Sequence, residues 1–458
     1  MPVYYVSSNP EVVTVDDNGV LTPVADGDAT ITVKVDQDPS KAYNPGETKF
    51  EVKVRTPLTF QALEDGQIDV NYINGLTLDK PIVYTINGKK NEITTTTPIE
   101  VKKGDLVKFE SANDALSVLV PQEGSGYYYR GYVNIMPQSK CAVYGNVMSM
   151  ITDGDFLENK TITQPYALYY LLRGAYNWTD DGIEYYTLSH DKYKLQLPAT
   201  QLFDYCYGNL LSCTGITEAP ELPATELANY CYSYLFSYCL NLAKAPKLPA
   251  TTLAPGCYAY MFSQCDLTEA PELPAKELVP YCYRYMFRSN YNLTKAPKLP
   301  ATTLANYCYQ GMFQNCTALT SAPALPAMNL ATGCYYSMFN NCTALTTAPA
   351  LPATTLAQQC YRNMFYYCTS LTKAPDLPAE TLAPYCYRQM FQNCTKLASV
   401  KCLAKTNASW ALYSWLANAG TNVDTPTLTH SADNNNWISQ DGFYSSGWYV
   451  PSNWTIAD

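Results

Sequence analysis

Histidine occurs only twice in 458 residues, at His190 and His430, and neither has an acid–base motif nearby. Triads, Cys–His pairs and histidine-bearing metal centres therefore lose their usual centrepiece. No Cys-x-x-Cys pair is present either, so a zinc site has no spacing to start from. Charge is also sparse. Only 15% of residues are charged and the net charge is −10, which excludes a partner read through its phosphates. Acidity spread this thinly serves solubility. No apolar run approaches the ~18–20 residues needed to cross a bilayer. The opening "MPVYYVSSNPEVV" lacks the basic stretch and apolar block of a signal peptide.

What is abundant is repetition. Leu-Pro-Ala steps begin at Leu197, Leu222, Leu248, Leu273, Leu299, Leu325, Leu351 and Leu377, a period of 25 or 26 residues. The unit reads roughly "LPATTLAPYCYRQMFQNCTALTTAP". This period lies in the ~20–29 residue window of leucine-rich repeats. One unit cannot bury its own apolar face, so neighbours must stack into a solenoid. Within "CYRQMFQNC", the residues Cys386, Tyr387, Met390, Phe391 and Cys394 fall on one helical face, while Arg388, Gln389, Gln392 and Asn393 face away. The reading is a helix of about ten residues, with Pro255, Pro280 and Pro384 at first-turn positions, followed by a brief Pro-rich parallel strand. The seventeen cysteines are read as ladders of buried thiols. Pairs eight apart span ~12 Å of helix, and equivalent cysteines on neighbouring helices lie ~8–10 Å apart, beyond the ~7 Å disulfide limit.

Two surface features bear on binding. Positions flanking the Ala-Pro step read Glu218/Glu221, Lys244/Lys247, Glu269/Glu272 and Lys295/Lys298, then turn neutral at Ser321/Ala324 and Thr347/Ala350. Alternating signs make opposite-charge neighbours and cancel any steering field, so the strip is a register device on a solvated face. The neutral window at Ser321 and Thr347 is where a ligand fits best. Tyr234, Tyr238, Tyr260, Tyr285, Tyr336, Tyr366 and Tyr367 occupy outward positions, either as a contact surface for a partner or as rings packed on one another.

The flanks differ from the array. Residues 1–56 alternate in strand fashion, with turns at Asn18-Gly19 and Ala25-Asp26-Gly27, and "SSNPEVVTVDDNGVLTPVADGDATITV" resembles a group-2 bacterial Ig-like domain. That family has two further strands ahead of the "SSNP" segment. The open edge is therefore expected to be filled, by upstream residues or by a neighbouring subunit. Residues 57–149 read as a second β-sandwich-like domain, with turns at Asp65-Gly66, Asn87-Gly88 and Lys103-Gly104-Asp105. Residues 150–402 form the array, with a degenerate first coil at 150–196. Residues 403–458 hold Trp410, Trp415, Trp437, Trp448 and Trp454, a cap over the last coil. The fold class is an α/β solenoid of short parallel strands and short helices, preceded by β-sandwich domains.

The core "MF--CT-LT-AP-LP", as in Met312-Phe313, Cys316-Thr317, Leu319-Thr320, Ala322-Pro323 and Leu325-Pro326, is similar to BspA-like leucine-rich-repeat surface proteins of gut and oral Bacteroidota. Similar arrays occur in other host-associated bacteria and in gut phages. With the Ig-like segment, the resemblance spans about three quarters of the chain. It implies a secreted or surface protein that adheres to a protein or carbohydrate on host or bacterial cells, and it transfers no catalytic residue, cofactor or metal. The second reading is a structural subunit of an extracellular fibre or phage appendage, located on a virion and self-associating through its β domains. "LPATT" at Leu351–Thr355 lacks the Gly and the apolar tail of a sorting signal, and is a coil corner. Asp153-Gly154-Asp155 and Asp180-Asp181-Gly182 lack EF-hand spacing and read as turns rather than calcium sites.

Overall fold

The computed structural model describes residues 3–24, 26–36, 45–121, 128–174, 178–179, 182–183, 194–440 and 447–457. The N-terminal strands are β1 (Val3–Ser7), β2 (Val13–Val15), β3 (Leu21–Pro23), β4 (Gly27–Val35) and β5 (Gly46–Val54). The loop at Asp16–Val20 closes a β2–β3 hairpin, with Gly19 at φ 80°. β1, β4 and β5 form an antiparallel sheet in that order. A small core of Val12, Val13, Ala29 and Ile31 holds this region together.

Next come β6 (Leu58–Ala62), β7 (Gly66–Ile73), β8 (Ile82–Ile86), β9 (Lys89–Ile93), β10 (Thr97–Val101), β11 (Leu106–Ser111), β12 (Ser117–Pro121), β13 (Tyr128–Pro137) and β14 (Cys141–Asn146). They build one sheet in the order β10-β7-β13-β12 and a second containing β14-β6-β11-β8-β9. Alternation buries one face of each, including Leu58, Phe60, Ile68, Val70, Val107, Phe109, Val133 and Ile135, while β14 is buried along its whole length. Phe60 and Phe109 meet edge-on at 5.5 Å. This core runs without a break into that of the repeats. Arg55 ties the Ig-like region on. It bonds Asp155 at 2.6 and 2.7 Å and Asp28 at 2.8 Å.

The repeats stack in parallel register, but the expected helices are not there. Among the described residues the one helical segment is a 3₁₀ turn at Val147–Met150. Each "CYRQMFQNC"-type segment is instead a chain of turns whose backbone bonds alternate. In one coil, the N–H groups of Tyr230, Tyr232, Tyr234, Phe236 and Tyr238 donate to carbonyls of the next coil at Pro255, Cys257, Ala259, Met261 and Ser263, at 2.8–3.0 Å. The intervening N–H groups of Cys231, Ser233, Leu235, Ser237 and Cys239 donate three residues back within their own coil, at 3.1–3.3 Å. Every fourth residue takes positive φ, as at Tyr230, Tyr234 and Tyr238 (53°, 57° and 64°). A four-residue period puts the same side chains inward as a 3.6-residue helix does over nine residues, so the inward set is the expected one and the backbone is not. Pro255, Pro280 and Pro384 fit because only their carbonyls take part in the ladder.

Stacking through backbone bonds places equivalent side chains at strand-like separation, ~4.8 Å along the ladder, rather than at helix separation. Buried Tyr207, Tyr232, Tyr258, Tyr283, Tyr309, Tyr335, Tyr361 and Tyr387 form one ring ladder with centroids 5.7–6.1 Å apart. Phe236 through Phe391 form a second, at 5.5–5.9 Å. Helix spacing therefore does not explain the unbridged cysteines, although all seventeen are buried free thiols. One column of them is hydrogen-bonded: Cys239, Cys265, Cys316, Cys342, Cys368 and Cys394 donate to the Leu or Phe carbonyl of the preceding coil at 3.0–3.1 Å. Where the column lacks cysteine, Asn290 takes over, its Nδ2 donating to Phe262 O at 2.7 Å and Phe287 O at 3.0 Å.

Both ends of the ladder are covered. Each turn segment donates to the coil after it, so the first has carbonyls with no coil before it to supply donors. Leu116 N–H reaches Ala167 O at 2.8 Å, Ile135 N–H reaches Leu171 O at 2.7 Å, and Asn134 Nδ2 reaches Tyr170 O and Arg173 O at 3.0 and 2.9 Å. The second β region thus supplies the missing donors. At the other end, parallel strands at Ser399–Cys402, Thr427–His430 and Thr455–Ala457 continue the stack. Trp415, Trp437 and Trp454 are buried there, with Trp415 Nε1 bonding Tyr449 O and Trp454 Nε1 bonding Ala419 O, both at 3.0 Å.

The thiol columns make the fold testable in two ways. Burial pushes Cys206, Cys239, Cys257, Cys308, Cys316, Cys368, Cys386 and Cys402 from an ordinary 9.0 up to about 12. Below the free-thiol value both states keep their protons, so this part of the stability is whole. Above it the unfolded chain alone ionises, and stability falls as pH rises toward the folded value. Alkaline titration followed by thiolate absorbance should show a late, cooperative transition, whereas independent titration near pH 9 would contradict the buried ladders. Second, Cys334→Ser should cost about 1–3 kcal/mol in urea unfolding. Cys342→Ser should cost less, because a hydroxyl there can still donate to Phe313 O.

Candidate functional site

The Pro-rich strand face carries the candidate site. Thr268, Thr294, Thr320, Thr346 and Thr372 form an exposed column. Thr294 N–H reaches Thr268 O at 3.2 Å, and Thr346 N–H reaches Thr320 O at 3.3 Å. One position on, parallel bridges join Lys244 to Glu269 and Glu269 to Lys295, then Ser321 to Thr347 and Thr347 to Lys373. The charge alternation is thus laid out in register. Lys244, Glu269 and Lys295 form no direct ion pair with one another among the described residues, which suits a solvated strip worth ~0–1 kcal/mol per pair.

Beyond Thr347 and Lys373 the two coils part. Bridging resumes at Thr355 and Thr381. Pro349, Pro352, Pro375 and Pro378 lie in between and have no N–H to donate, so the ladder lapses there. A groove of about 530 Å³ opens in this stretch, floored by alanine, proline and Leu351. Thr346, Thr347, Thr372, Lys373 and Asp376 supply its polar groups. Where earlier coils carry Glu272 or Lys298, this one has Ala350, as the coil before it has Ala324, too short to fill the space. Its volume lies in the ~300–1,000 Å³ range of ligand sites. Thr347 lies in the groove, and Ser321 is its register partner one coil back. Reading the two flanking positions one coil further would have found Lys373 and Asp376.

None of the seven tyrosines lines this groove. Tyr234, Tyr260 and Tyr285 stack on one another at 4.5 and 4.8 Å. Tyr285 in turn lies on Gly311, where a Cβ would sit 2.1 Å from its ring. Arg362 lies 5.0 Å from the Tyr336 ring centroid, and Tyr366 meets Tyr367 edge-on at 4.8 Å. Tyr234 and Tyr367 are exposed, whereas Tyr238, Tyr260, Tyr285, Tyr336 and Tyr366 are half-buried. The stacked rings present edges and hydroxyls outward, with their faces largely spent on each other.

The acidic turn at Asp153 and Asp155 is engaged by Lys80 at 3.0 Å and Arg55 at 2.6 Å. The Asp180–Gly182 turn falls largely outside the described residues. Among the described residues, no cluster of three or more His, Cys, Asp or Glu is placed to hold a metal ion, and no helix is long and apolar enough to cross a membrane.

Comparison with known families matches residues 2–38 to a bacterial Ig-like domain, and residues 200–346 and 331–414 to the BspA type leucine rich repeat region, in six copies. Neither the curated proteins nor the solved structures contain a match. The chain therefore carries an Ig-like segment ahead of BspA-type leucine-rich repeats, and repeats of that type are typically surface-associated.

The tyrosine columns make a prediction of their own. Gly256, Gly311 and Gly333 share the positive-φ positions that tyrosine fills in other coils, and each lies under the tyrosine of the coil before. A Cβ on Gly333 would meet the Tyr307 ring at 2.4 Å. Gly333→Ala should destabilise by about 1–3 kcal/mol in the wild type, and by clearly less in a Tyr307→Ala background. Equal costs in a urea double-mutant cycle would assign the glycine to backbone φ instead.

Proposed function

We propose that this chain is a non-catalytic recognition protein of a bacterial surface, whose stacked repeats hold a partner protein in the groove at Thr347 and Lys373. The observation that carries the reading is the groove itself, which lies where the charged strip gives way to small neutral residues and the Pro-rich stretch of two coils is left unfilled. Fixed coils on both sides pre-organise that groove, which lowers the ordering cost of binding. Its Ala, Pro and Leu floor suits apolar side chains, and its Thr, Lys373 and Asp376 rim supplies donors and acceptors for a main chain. A protein partner fits better than a sugar, because saccharide rings pack on free aromatic faces. Tyr234, Tyr260 and Tyr285 keep theirs against one another, and the groove has none.

The experiment is binding of the purified protein to host and bacterial cells, beside a glycan array. Wild type should bind a protease-sensitive cell component. Ala350→Arg, which fills the groove from an exposed position, should lower affinity at least tenfold without shifting the unfolding midpoint. Thr252→Arg, on the exposed corner of an earlier coil, should bind as wild type does. Protease-resistant binding matched by glycan-array hits would replace the protein partner with a carbohydrate, and unchanged binding by Ala350→Arg would move the site elsewhere.

A further inference from the structure

The edge strand β5 reads Gly46-Glu47-Thr48-Lys49-Phe50-Glu51-Val52-Lys53-Val54. Its charges alternate in sign at every second position, and they are symmetric about Phe50. If two copies pair antiparallel with Phe50 at the centre, Glu47 meets Lys53 of the other copy and Lys49 meets Glu51. Each contact occurs twice. Same-parity residues share a face, so all four charge pairs lie on one side of the joined sheet and the two phenylalanines on the other.

The backbone is poised for that pairing. Ser8 N–H donates to Thr30 O at 2.9 Å, and Thr30 N–H donates to Ser8 Oγ at 2.8 Å. Thr30 thus turns its main-chain groups toward β1, and the alternation of an antiparallel strand turns those of Ile31 toward β5. Ile31 pairs with Phe50, so Phe50 points its own groups back into the sheet. The groups of Glu47, Lys49, Glu51 and Lys53 therefore point outward, the four residues that a Phe50-centred pairing would bond. Among the described residues no strand pairs with this side of β5, and Gly46–Glu51 are all exposed. In that pairing Phe50 faces its own copy across a non-hydrogen-bonded position, where side chains come closest.

Phe50 also lacks cover at present. It lies on the same side of the sheet as Ile31 and Val52, yet is 44% exposed, and Val3, on that face too, is 40% exposed. Charge on an edge strand ordinarily repels other strands. That works when the charges are of one sign. Here every charge meets its opposite in one register only, and Glu47 is already held on the edge by Lys34 at 3.3 Å and Lys49 at 2.8 Å.

We propose that β5 is a self-recognition edge, through which two copies of this chain form a two-fold dimer with a continuous six-stranded sheet. Such a pairing is isologous and closes on itself, giving a dimer rather than a fibre. Two paired strands make a contact below the ~1,200 Å² of stable interfaces, so the dimer is weak and weakens further as salt screens its charges. It carries two arrays on one body, which multiplies attachment to a surface bearing many copies of a partner.

The test is sedimentation velocity of the full chain from about 1 µM to about 1 mM, a range that covers weak association. The weight-average value should rise to that of a dimer and stop, with a smaller rise in high salt. Glu51→Lys, which sets lysine against Lys49 twice, should weaken dimerisation at least tenfold. Lys49→Glu/Glu51→Lys restores opposite charges and should return it to within about threefold of wild type. Under mild oxidation Phe50→Cys should cross-link to its own copy. Thr48→Cys should not, since it stands ~14 Å from its equivalent in this register. A monomer across the whole range, growth beyond a dimer, equal defects in the single and double charge variants, or cross-linking at position 48 instead of 50 would each overturn the proposal.

Discussion

The alternating backbone ladder is the constraint from which the rest of the array follows. Every second N–H in a turn segment donates to the next coil, and every other one closes a turn within its own coil. In a coil such as Tyr230–Cys239 that leaves no backbone N–H unpaired, which a structure this tightly stacked requires. It also fixes a direction. Because the backbone of the turn segments donates only forward, the array needs a source of donors before its first turn segment, and Leu116, Ile135 and Asn134 provide one. The second β region is therefore part of the array's hydrogen-bonding scheme, which explains why the two share one core.

Strand-like separation then dictates composition. A side chain at one position stands directly over its equivalent, so each column must tolerate its own kind. Aromatic rings do so by parallel stacking, in both the buried Tyr and the Phe ladders. Asparagine does so by amide bonds, as where Asn341 donates to Asn315 at 3.1 Å and Asn418 to Asn393 at 2.9 Å. Those asparagines also occupy positive-φ positions, for which their side chain is among the best suited. Charge cannot repeat on itself, so the exposed strip alternates Glu with Lys. Cysteine succeeds in its column because a thiol is small and apolar enough for a dry interior and can still donate weakly to a carbonyl.

Much of this was legible in the sequence. The eight Leu-Pro-Ala steps gave the period, the strip at Lys244, Glu269 and Lys295 gave the register between coils, and the Asn18-Gly19 step gave the β2–β3 hairpin. The backbone of the turn segments was not legible. Cys386, Tyr387, Met390, Phe391 and Cys394 sit at spacings that periods of 3.6 and 4 both satisfy over nine residues. What separates the two is chemistry at every fourth position. Tyr385, Gln389 and Asn393 have φ near +60°, as do Gly256, Gly311 and Gly333 in their coils. Recurrent Asn and Gly at a four-residue interval are turn residues, and a helix of that length would not carry them so often. The groove was half legible: Thr347 lies in the neutral window, whereas the Ala-Pro and Leu-Pro steps recur from coil to coil and do not single out this pair.

Regularity and recognition pull against each other in such an array. A column that stacks well spends its faces and its backbone groups on its neighbours, and so has little left for a ligand. This is why Tyr260, fully sandwiched between Tyr234 and Tyr285, is a poorer binding group than its ring suggests. Contact with other molecules is left to places where the repeat lapses. At Pro349 and Pro375, as at the equivalent prolines of earlier coils, the backbone ladder stops for want of N–H groups, and with Ala350 in place of a charged residue no side chain fills the stretch. The coils above and below still hold the walls of that gap at fixed separation. The groove is therefore rigid without being filled, and the strength of the ladder on either side is what keeps it open.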